Sequence, residues 1–327
     1  MSLCCIIVNY KTPTLTLDCV ASLFAGTLVP DQVIVVDNHS QDESYEYILS
    51  HVQRLSQHER VAVIPAGSNA GFGAGNNIGF RHALENLPGL THVVLINPDA
   101  TAHPELLAML VARFEHSPNI GIVGGAIVDE HGRPAPSAHT FPSALGELER
   151  GAEFGPVSRL LSRWQVTPEQ PAEAAACDWV SGACMAIRRE VYAALQGFDE
   201  GFFLYFEEVD FCARAAKAGW VCWVEPKAVV SHLEGASTGI KALGQRRPGY
   251  WYDSRRRVLV KLHGVSGLIL GDLLWLVGRG SLAIRRALRL GGRAGLRHQP
   301  ASEVSDLLLG DWRALVSGQL QRPHGAR

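Results

Sequence analysis

The residues able to do chemistry lie in a few short stretches. In "HVVLINPDAT", His92 to Thr101, four apolar residues run into Asn97, Pro98 and Asp99. Two readings stand at this point. The polar group is a turn after Pro98, or it presents an amide and a carboxylate to a ligand or metal beyond a buried strand. A second stretch, "FLYFEEVDFCAR", crowds Glu207, Glu208 and Asp210 into the start of a helical pattern. As complements to a helix dipole they contribute about 0.3–1 kcal/mol each. As adjacent carboxylates between aromatic residues they repel, which raises the pKa of at least one and suits a general base. His232 closes "AVVSH". A lone histidine is structural unless Asp99 also binds a metal.

These residues need elements to hold them. "LCCIIVN", "QVIVVDN", "RVAVIPA", "THVVLIN" and "NIGIVGGAIVD" read as strands, most of them apolar along their length. Helical patterns separate them, from Thr14 to Phe24, from Asp42 to about Leu55, up to about Asn86, and over "HPELLAMLVARFEH" with Pro104 near its first turn. Alternating β and α with fully apolar strands implies a mostly parallel sheet covered by helices on both faces. From about Glu130 to Ala176 the pattern dissolves into a long connection with one helix. Then "EEVDFCARAAKAG" reads as a helix ending at Gly219, with "WVCWVE" and "AVVSH" as two strands.

In an open α/β sheet, ligands collect outside the carboxyl ends of the strands. Strand one ends in Asn9 and Tyr10, strand two in Asp37 and Asn38, and strand four in Asn97-Pro98-Asp99. Strand three is followed by "GSNAGFGAGNNIG". Its glycines follow the third strand and not the first, which argues against a dinucleotide fingerprint, and the Gly-Lys-Ser/Thr of a P-loop is absent. They are expected to let the backbone approach a ligand, with Asn69, Asn76 and Asn77 offering amides. Each strand end alone is weak, since Asp37 with Asn38 and Ser40 suits a helix cap. Four in order are hard to ascribe to chance.

Composition narrows the class. The 327 residues are 47% hydrophobic and 19% charged, with a net charge of -2, so no charge excess suggests a nucleic-acid partner. Seven cysteines without a CxxC pair point to a reducing cytosol, and the start "MSLCCIIVNYK" reads as a first strand and not a signal peptide. Arginine crowds the last third, in "SRRRVLVK" and "AIRRALRLGGRAGLR", which suggests a surface that meets something anionic. Between these runs, "GVSGLILGDLLWLVG" is short for a span and carries Asp272. With Trp275 it suits either an interfacial helix or one packed on the protein. "SEVSDLLLGDWRALVSGQL" is a last amphipathic helix.

Taken in order, "VNYK", "VVDNHSQD", "NAGFGAGNNIG", "NPDA", "WVSGACMAIRR", "GFDEGFFLYFEEVDFCARAAKAGW" and His232 resemble the GT-A family 2 inverting glycosyltransferases, over roughly Ser2 to His263. The bacterial rhamnosyltransferase-like branch looks nearest. The resemblance implies a GT-A, Rossmann-like nucleotide-diphospho-sugar transferase fold with a mostly parallel central sheet and a C-terminal helical extension. Residues 1–245 would form the catalytic domain, with 1–100 as nucleotide-sugar half and 101–245 as acceptor half, and 246–327 a helical, membrane-associating region.

By resemblance, Asn9, Tyr10 and Asp37 would hold the nucleoside, while Asn69, Gly71, Phe72, Gly73, Asn76, Asn77 and Asn97 would lie along the donor. Asn97-Pro98-Asp99 stands in the place of the family's Asp-x-Asp motif, with its first acid replaced, so Asp99 and His232 would carry the metal. Glu208 would be the catalytic base, and Asp178, Trp179 and Glu207 would face the acceptor. The implied cofactor is Mn2+ or Mg2+; one aspartate, one histidine and a diphosphate suit Mn2+ in particular. The implied partners are a nucleotide-sugar donor such as dTDP-L-rhamnose and a lipid-linked or polysaccharide acceptor. The implied place is the cytoplasm, peripheral to the inner face of the membrane. A sugar nucleotidyltransferase and a non-catalytic nucleotide- or glycan-binding module are the alternatives. The first lacks an early basic glycine loop, and the intact Asp99, Glu208 and His232 argue against the second.

Overall fold

The computed structural model describes residues 2–233, 246–288 and 302–320. The expected boundary at 245 and the arginines at 289, 293 and 297 lie outside the described residues. Two compact units emerge: 1–139 with 170–203 and 207–238, and 140–169 with 204–206 and 239–327.

The first unit carries β1 (Leu3–Asn9), α1 (Pro13–Phe24), β2 (Gln32–Asp37), α2 (Ser44–Val52), β3 (Val61–Pro65), α3 (Phe72–Asn86), β4 (His92–Ile96), β5 (Ala100–Ala102), α4 (Leu106–Phe114), β6 (Ile120–Val128), β7 (Pro134–Ala135) and β8 (Ala138–His139). The chain then leaves for α5 (Ala144–Ala152) and α6 (Gly155–Leu160) of the second unit. It returns with β9 (Ala175–Cys177), β10 (Trp179–Val180), β11 (Cys184–Arg188), α7 (Arg189–Ala194), α8 (Glu207–Lys217) and β12 (Val221–His232). Finally α9 (Gly249–Ala287) and α10 (Glu303–Val316) complete the second unit.

Strand alternation explains why helices cover both faces of the sheet. Leu3, Cys5 and Ile7 of β1 join Val33 and Val35 of β2 in one core with Cys19, Val20 and Leu23 of α1 and Leu106 and Leu110 of α4. The intervening Ile6, Val8 and Val36 point the other way, towards α3, where a Cβ on Gly75 would stand 2.7 Å from Val8 and one on Gly79 2.6 Å from Ile6. Fully burying each aliphatic side chain contributes about 1.5–3 kcal/mol.

Among the described residues the main sheet has ten strands, ordered β3-β2-β1-β4-β11-β6-β12-β5, with β7 on β6 and β9 on β12. It is parallel from β3 to β4, as the alternation implies. Beyond β4 it becomes mixed, because β11 enters antiparallel between β4 and β6. Two local expectations change. The two strands expected at 220–232 are one, β12, which absorbs Pro226 through a register shift between Glu225 and Val229. The connection over 130–176 holds two helices, α5 and α6, where one was expected.

The second unit is built on α9, which breaks at Gly264 (φ 72°, ψ -178°), a backbone state that suits glycine. Gly151 of α5 and Gly278 of α9 let the two helices touch, since a Cβ on either would fall within 2.6 Å of the other's backbone. The expected anion-facing arginines turn inward here. Arg255 is buried and donates to Glu147 (2.9 Å), Asp272 (2.8 Å) and Asp311 (3.0 Å). Arg256 is buried against Asp311 (2.7 Å) and Asp253 (3.0 Å). Trp275 is fully buried, with the Arg150 and Arg279 guanidiniums 5.3 and 5.1 Å from its ring. A buried arginine needs acids around it, and α5, α9 and α10 supply them.

Candidate active site

Four strand ends, of β1, β2, β4 and β12, and two helix starts build the site, all in the first unit. At the end of β1, Asn9 is fully buried. Its amide nitrogen donates to Asp37 Oδ2 at 2.7 Å and to Ser40 Oγ at 3.3 Å. Its oxygen accepts from the Thr16 hydroxyl at 2.9 Å. Asp37 also accepts from the Ser40 backbone N–H (3.0 Å) and hydroxyl (2.6 Å). Asn9 therefore orients Asp37 and anchors α1. Tyr10 is half-buried beside it, with the Lys11 ammonium 5.3 Å from its ring centroid. Lys11, His39 and Gln41 all have φ of 56–60°, so the turns after β1 and β2 hold non-glycine residues in the left-handed region. Such strain is concentrated where a site over-determines the backbone.

The glycine loop meets protein first. Gly71 has φ 99°, and a Cβ there would lie 1.9 Å from the Phe203 carbonyl oxygen. The Phe72 N–H donates to that same oxygen at 3.0 Å. A Cβ on Gly73 would stand 3.0 Å from Phe198 and 3.6 Å from the Glu207 Cβ. Asn69 Oδ1 accepts from the Gly71 N–H at 3.1 Å and from Asn38 Nδ2 at 3.0 Å. Asn76 caps a backbone carbonyl one turn back, Phe72 O, at 3.0 Å. Asn77 donates to Phe198 O and Glu200 and accepts from the Tyr192 hydroxyl and the Phe198 N–H. Asn77 thus fastens α3 to the turn after α7, with both of its amide atoms engaged.

Asn38 is a residue that sequence reasoning passed over as a cap. It is buried, and its amide nitrogen donates to Asn69 Oδ1 and, at 3.2 Å, to the Gly71 carbonyl. A carbonyl can only accept, so the Asn38 amide is held one way round. Its oxygen is left buried beside the donor-side residues, without a hydrogen-bond partner among the described residues. The signal in the sequence is a second polar residue directly after Asp37.

At the end of β4, the Asn97 N–H bonds to Ala183 O at 3.0 Å, which joins it to the turn before β11. Antiparallel pairing of β5 with β12 sets His232 opposite Ala100. His232 Nε2 then lies 3.0 Å from Asp99 Oδ1 and 3.1 Å from Asn97 Nδ2. One nitrogen faces an acceptor and a donor together. As N–H it serves Asp99; as a bare lone pair it and the Asp99 carboxylate converge as ligands. Among the described residues no three His, Cys, Asp or Glu side chains form a closed metal cage. Two protein ligands fit a divalent ion that takes its other oxygens from phosphate and water.

The acidic pair sits at the start of α8, directly after Tyr205 and Phe206, both left-handed at φ 68° and 69°. Glu207 is 3% exposed, and its Oε2 has no hydrogen-bond partner. Burial, and after it the charge of Glu208, push the Glu207 carboxyl well above the usual carboxylate range. Glu208 points elsewhere: its Cβ lies 3.9 Å from where a Cβ on Gly182 would sit, and Phe72 lies 3.3 Å from the same point. Gly182 and Ala183 therefore link Glu208 to the Asn97 end of the site. Asp210 is spent on Arg214 at 2.8 Å, which also binds Leu195 O and Gly197 O. Trp179 stacks on His139 (4.0 Å, 14°) on β10, which runs beside α8, and the Asp178 N–H bonds to His139 O at 3.0 Å.

A mixed sheet with this order, and polar groups at the ends of β1, β2 and β4, has the layout of the GT-A fold. Solved structures agree on the fold. The mannosyltransferase PcManGT from Pyrobaculum calidifontis, in complex with GDP-Man and Mn2+, aligns with TM-score 0.55 at 16% identity, over 98% of this chain and 83% of that one. GalNAc-T7 with UDP, GalNAc and Mn2+ aligns with TM-score 0.59 at 16% identity, over 97% of this chain and 57% of that one. The family model "Glycosyltransferase like family 2" matches residues 3–251, and the chain belongs to that family. It is 31% identical over 289 residues to the N-acetylglucosaminyl-diphospho-decaprenol L-rhamnosyltransferase of Mycobacterium tuberculosis, covering 85% of this chain and 88% of the relative. It is 28% identical over 212 residues to the low-salt glycan biosynthesis hexosyltransferase Agl10 of Haloferax volcanii, covering 65% and 61%. It is 23% identical over 192 residues to rhamnosyltransferase WbbL of Escherichia coli K12, covering 55% and 70%.

Proposed function

We propose that this glycosyltransferase moves L-rhamnose, with inversion, from a nucleotide-diphosphate donor such as dTDP-L-rhamnose to a lipid-linked glycan acceptor at the cytoplasmic face of the membrane. The observation that carries the reading is the convergence of Asp99, His232 and Asn97 within 3.1 Å at the carboxyl edge of the sheet. The rhamnosyl donor and lipid-linked acceptor draw support from the names of the relatives in M. tuberculosis and E. coli. Asp37, held by Asn9 and Ser40, and Asn69 with Tyr10 take the nucleoside side. Phe72 and the start of α3 lie along the donor.

Asp99 and His232 are the side chains that would hold Mn2+ or Mg2+, with Asn97 beside them. When bound, such an ion neutralises charge on the departing diphosphate. Glu208 takes the proton of the acceptor hydroxyl as that oxygen bonds to the anomeric carbon. The bond from that carbon to the diphosphate breaks on the opposite side, and the diphosphate leaves with its electron pair. Glu207 precedes Glu208 in the chain, its carboxyl pushed well above the usual range by burial and then by the charge of Glu208. Trp179 and Asp178 flank the acceptor.

Purified protein incubated with Mn2+, a panel of nucleotide sugars and a polyprenyl-diphosphate glycan should release nucleoside diphosphate with a rhamnosyl donor. Asp99→Ala should lose metal-dependent donor binding. Glu208→Gln should bind donor and lose turnover. Release from no sugar in the panel, with lipid acceptor present, would end this proposal.

A further inference from the structure

The distal part of α9 has two apolar faces, and among the described residues only one is covered. Leu268, Gly271, Trp275, Gly278 and Leu282 are buried. On the other side, Val265, Ile269, Leu270, Leu273, Val277 and Ile284 are 36–62% exposed. Their spacing of three, four and seven keeps them on one stripe, about 30 Å long at 1.5 Å per residue. Two charged residues occur in this stretch, Asp272 and Arg279, and both turn to the packed side, to Arg255 and to Glu153 and Glu303. The outward stripe therefore carries no charge. A helix that is apolar on both sides suits a third phase beyond water and the protein's own core.

The charge that follows the stripe along the sequence selects the occupant. From Gly280 to Ser302 the sequence has five arginines, at 285, 286, 289, 293 and 297, the last three outside the described residues, and no Asp or Glu. Two copies of the chain meeting through this stripe would bring two such basic runs together. An anionic bilayer would attract the run and take up the stripe.

We propose that the Val265–Ile284 stripe of α9 is the surface by which the enzyme lies on an anionic lipid bilayer. The inference deepens the functional reading, since a lipid-linked acceptor must be met at a bilayer, but it can be tested without any sugar. The full-length protein is sedimented with vesicles of phosphatidylcholine alone or with phosphatidylglycerol added. Wild type should bind the phosphatidylglycerol vesicles, less so at high salt. Ile269→Glu/Leu273→Glu should bind about tenfold more weakly or worse, with an unchanged melting temperature. Val277→Ser/Ile284→Ser serves if the acidic pair disturbs folding, and should weaken binding in the same direction.

Wild type left in the supernatant, or variants that bind as wild type does, would overturn the proposal. So would a wild-type dimer on gel filtration that the substitutions split while lipid binding is absent. Vesicle binding without turnover of any donor would leave this inference standing and remove the proposed reaction. Turnover without vesicle binding would do the reverse.

Discussion

Replacing Gly71 by alanine tests how the glycine loop works. At φ 99° and ψ 178° the residue sits in a region that only glycine occupies freely, and an alanine there costs about 1–3 kcal/mol. The added Cβ would stand 1.9 Å from the Phe203 oxygen and 2.6 Å from its carbonyl carbon, so backbone must move. That movement breaks the Phe72 N–H bond to Phe203 O and the Asn38 bond to Gly71 O, at about 0.5–1.5 kcal/mol each. The sum is about 2–6 kcal/mol, a large part of the 5–15 kcal/mol that stabilises a typical domain. A fall in melting temperature of at least about 4 °C is expected, together with weaker donor binding, because α3 begins at Phe72. Gly67, in the same loop with nothing within 4 Å of its added Cβ, is the control and should be neutral as alanine. Gly75→Ala and Gly79→Ala press only on the Val8, Ile6 and Val36 side chains, which can shift, and should fall between. The reasoning is falsified if Gly71→Ala melts with wild type and keeps its kcat/KM, or if Gly67→Ala does the greater harm.

The remaining expectations concern the acids and the buried ions. Glu207→Gln, which keeps the size of a buried side chain, should keep kcat within about tenfold, whereas Glu208→Gln should lose about 100- to 10,000-fold; equal losses in kcat would refute the division of roles. Arg255→Leu leaves Glu147, Asp272 and Asp311 buried together and should cost about 3–5 kcal/mol in urea unfolding. Stability should also move with pH in two opposed ways. Burial would raise the Glu147 carboxyl, but Arg150 and Arg255 outweigh it and hold it down at about 2, so its stabilisation is complete above about pH 4.5 and lost as pH falls towards 2. Burial lifts Asp272 to about 6, so its ionisation costs stability above pH 6 and that cost fades as pH falls towards 4. Thermal melts from pH 7 to 4 should thus show a gain, to which the raised Glu207 also contributes and which Asp272→Asn reduces; the same slope in both proteins would contradict it.

The sequence by itself determined the local pattern. Apolar runs set β1 to β4 as buried strands, the alternation made them parallel, and parallel strands deliver Asn9, Asp37 and Asn97 to one edge. Periodicity, caps and turns are local, so they are legible without neighbours. What the tertiary structure decided is which distant segments meet. Nothing local announces that β11 enters antiparallel between β4 and β6, or that β5 and β12 bring His232 to Asp99 across 133 residues. Nor does spacing say which of two adjacent acids loses solvent. Glu207 does so the more, because it packs against Gly73, while the Glu208 Cβ lies over Gly182 and the residue stays half-buried. The arginines of α9 make the same point: a basic run reads as an outward surface until acids from α5 and α10 fold over Arg255 and Arg256. Side-chain identity is a property of one residue, but burial, charge state and ligand-holding geometry belong to the neighbours that long-range packing supplies.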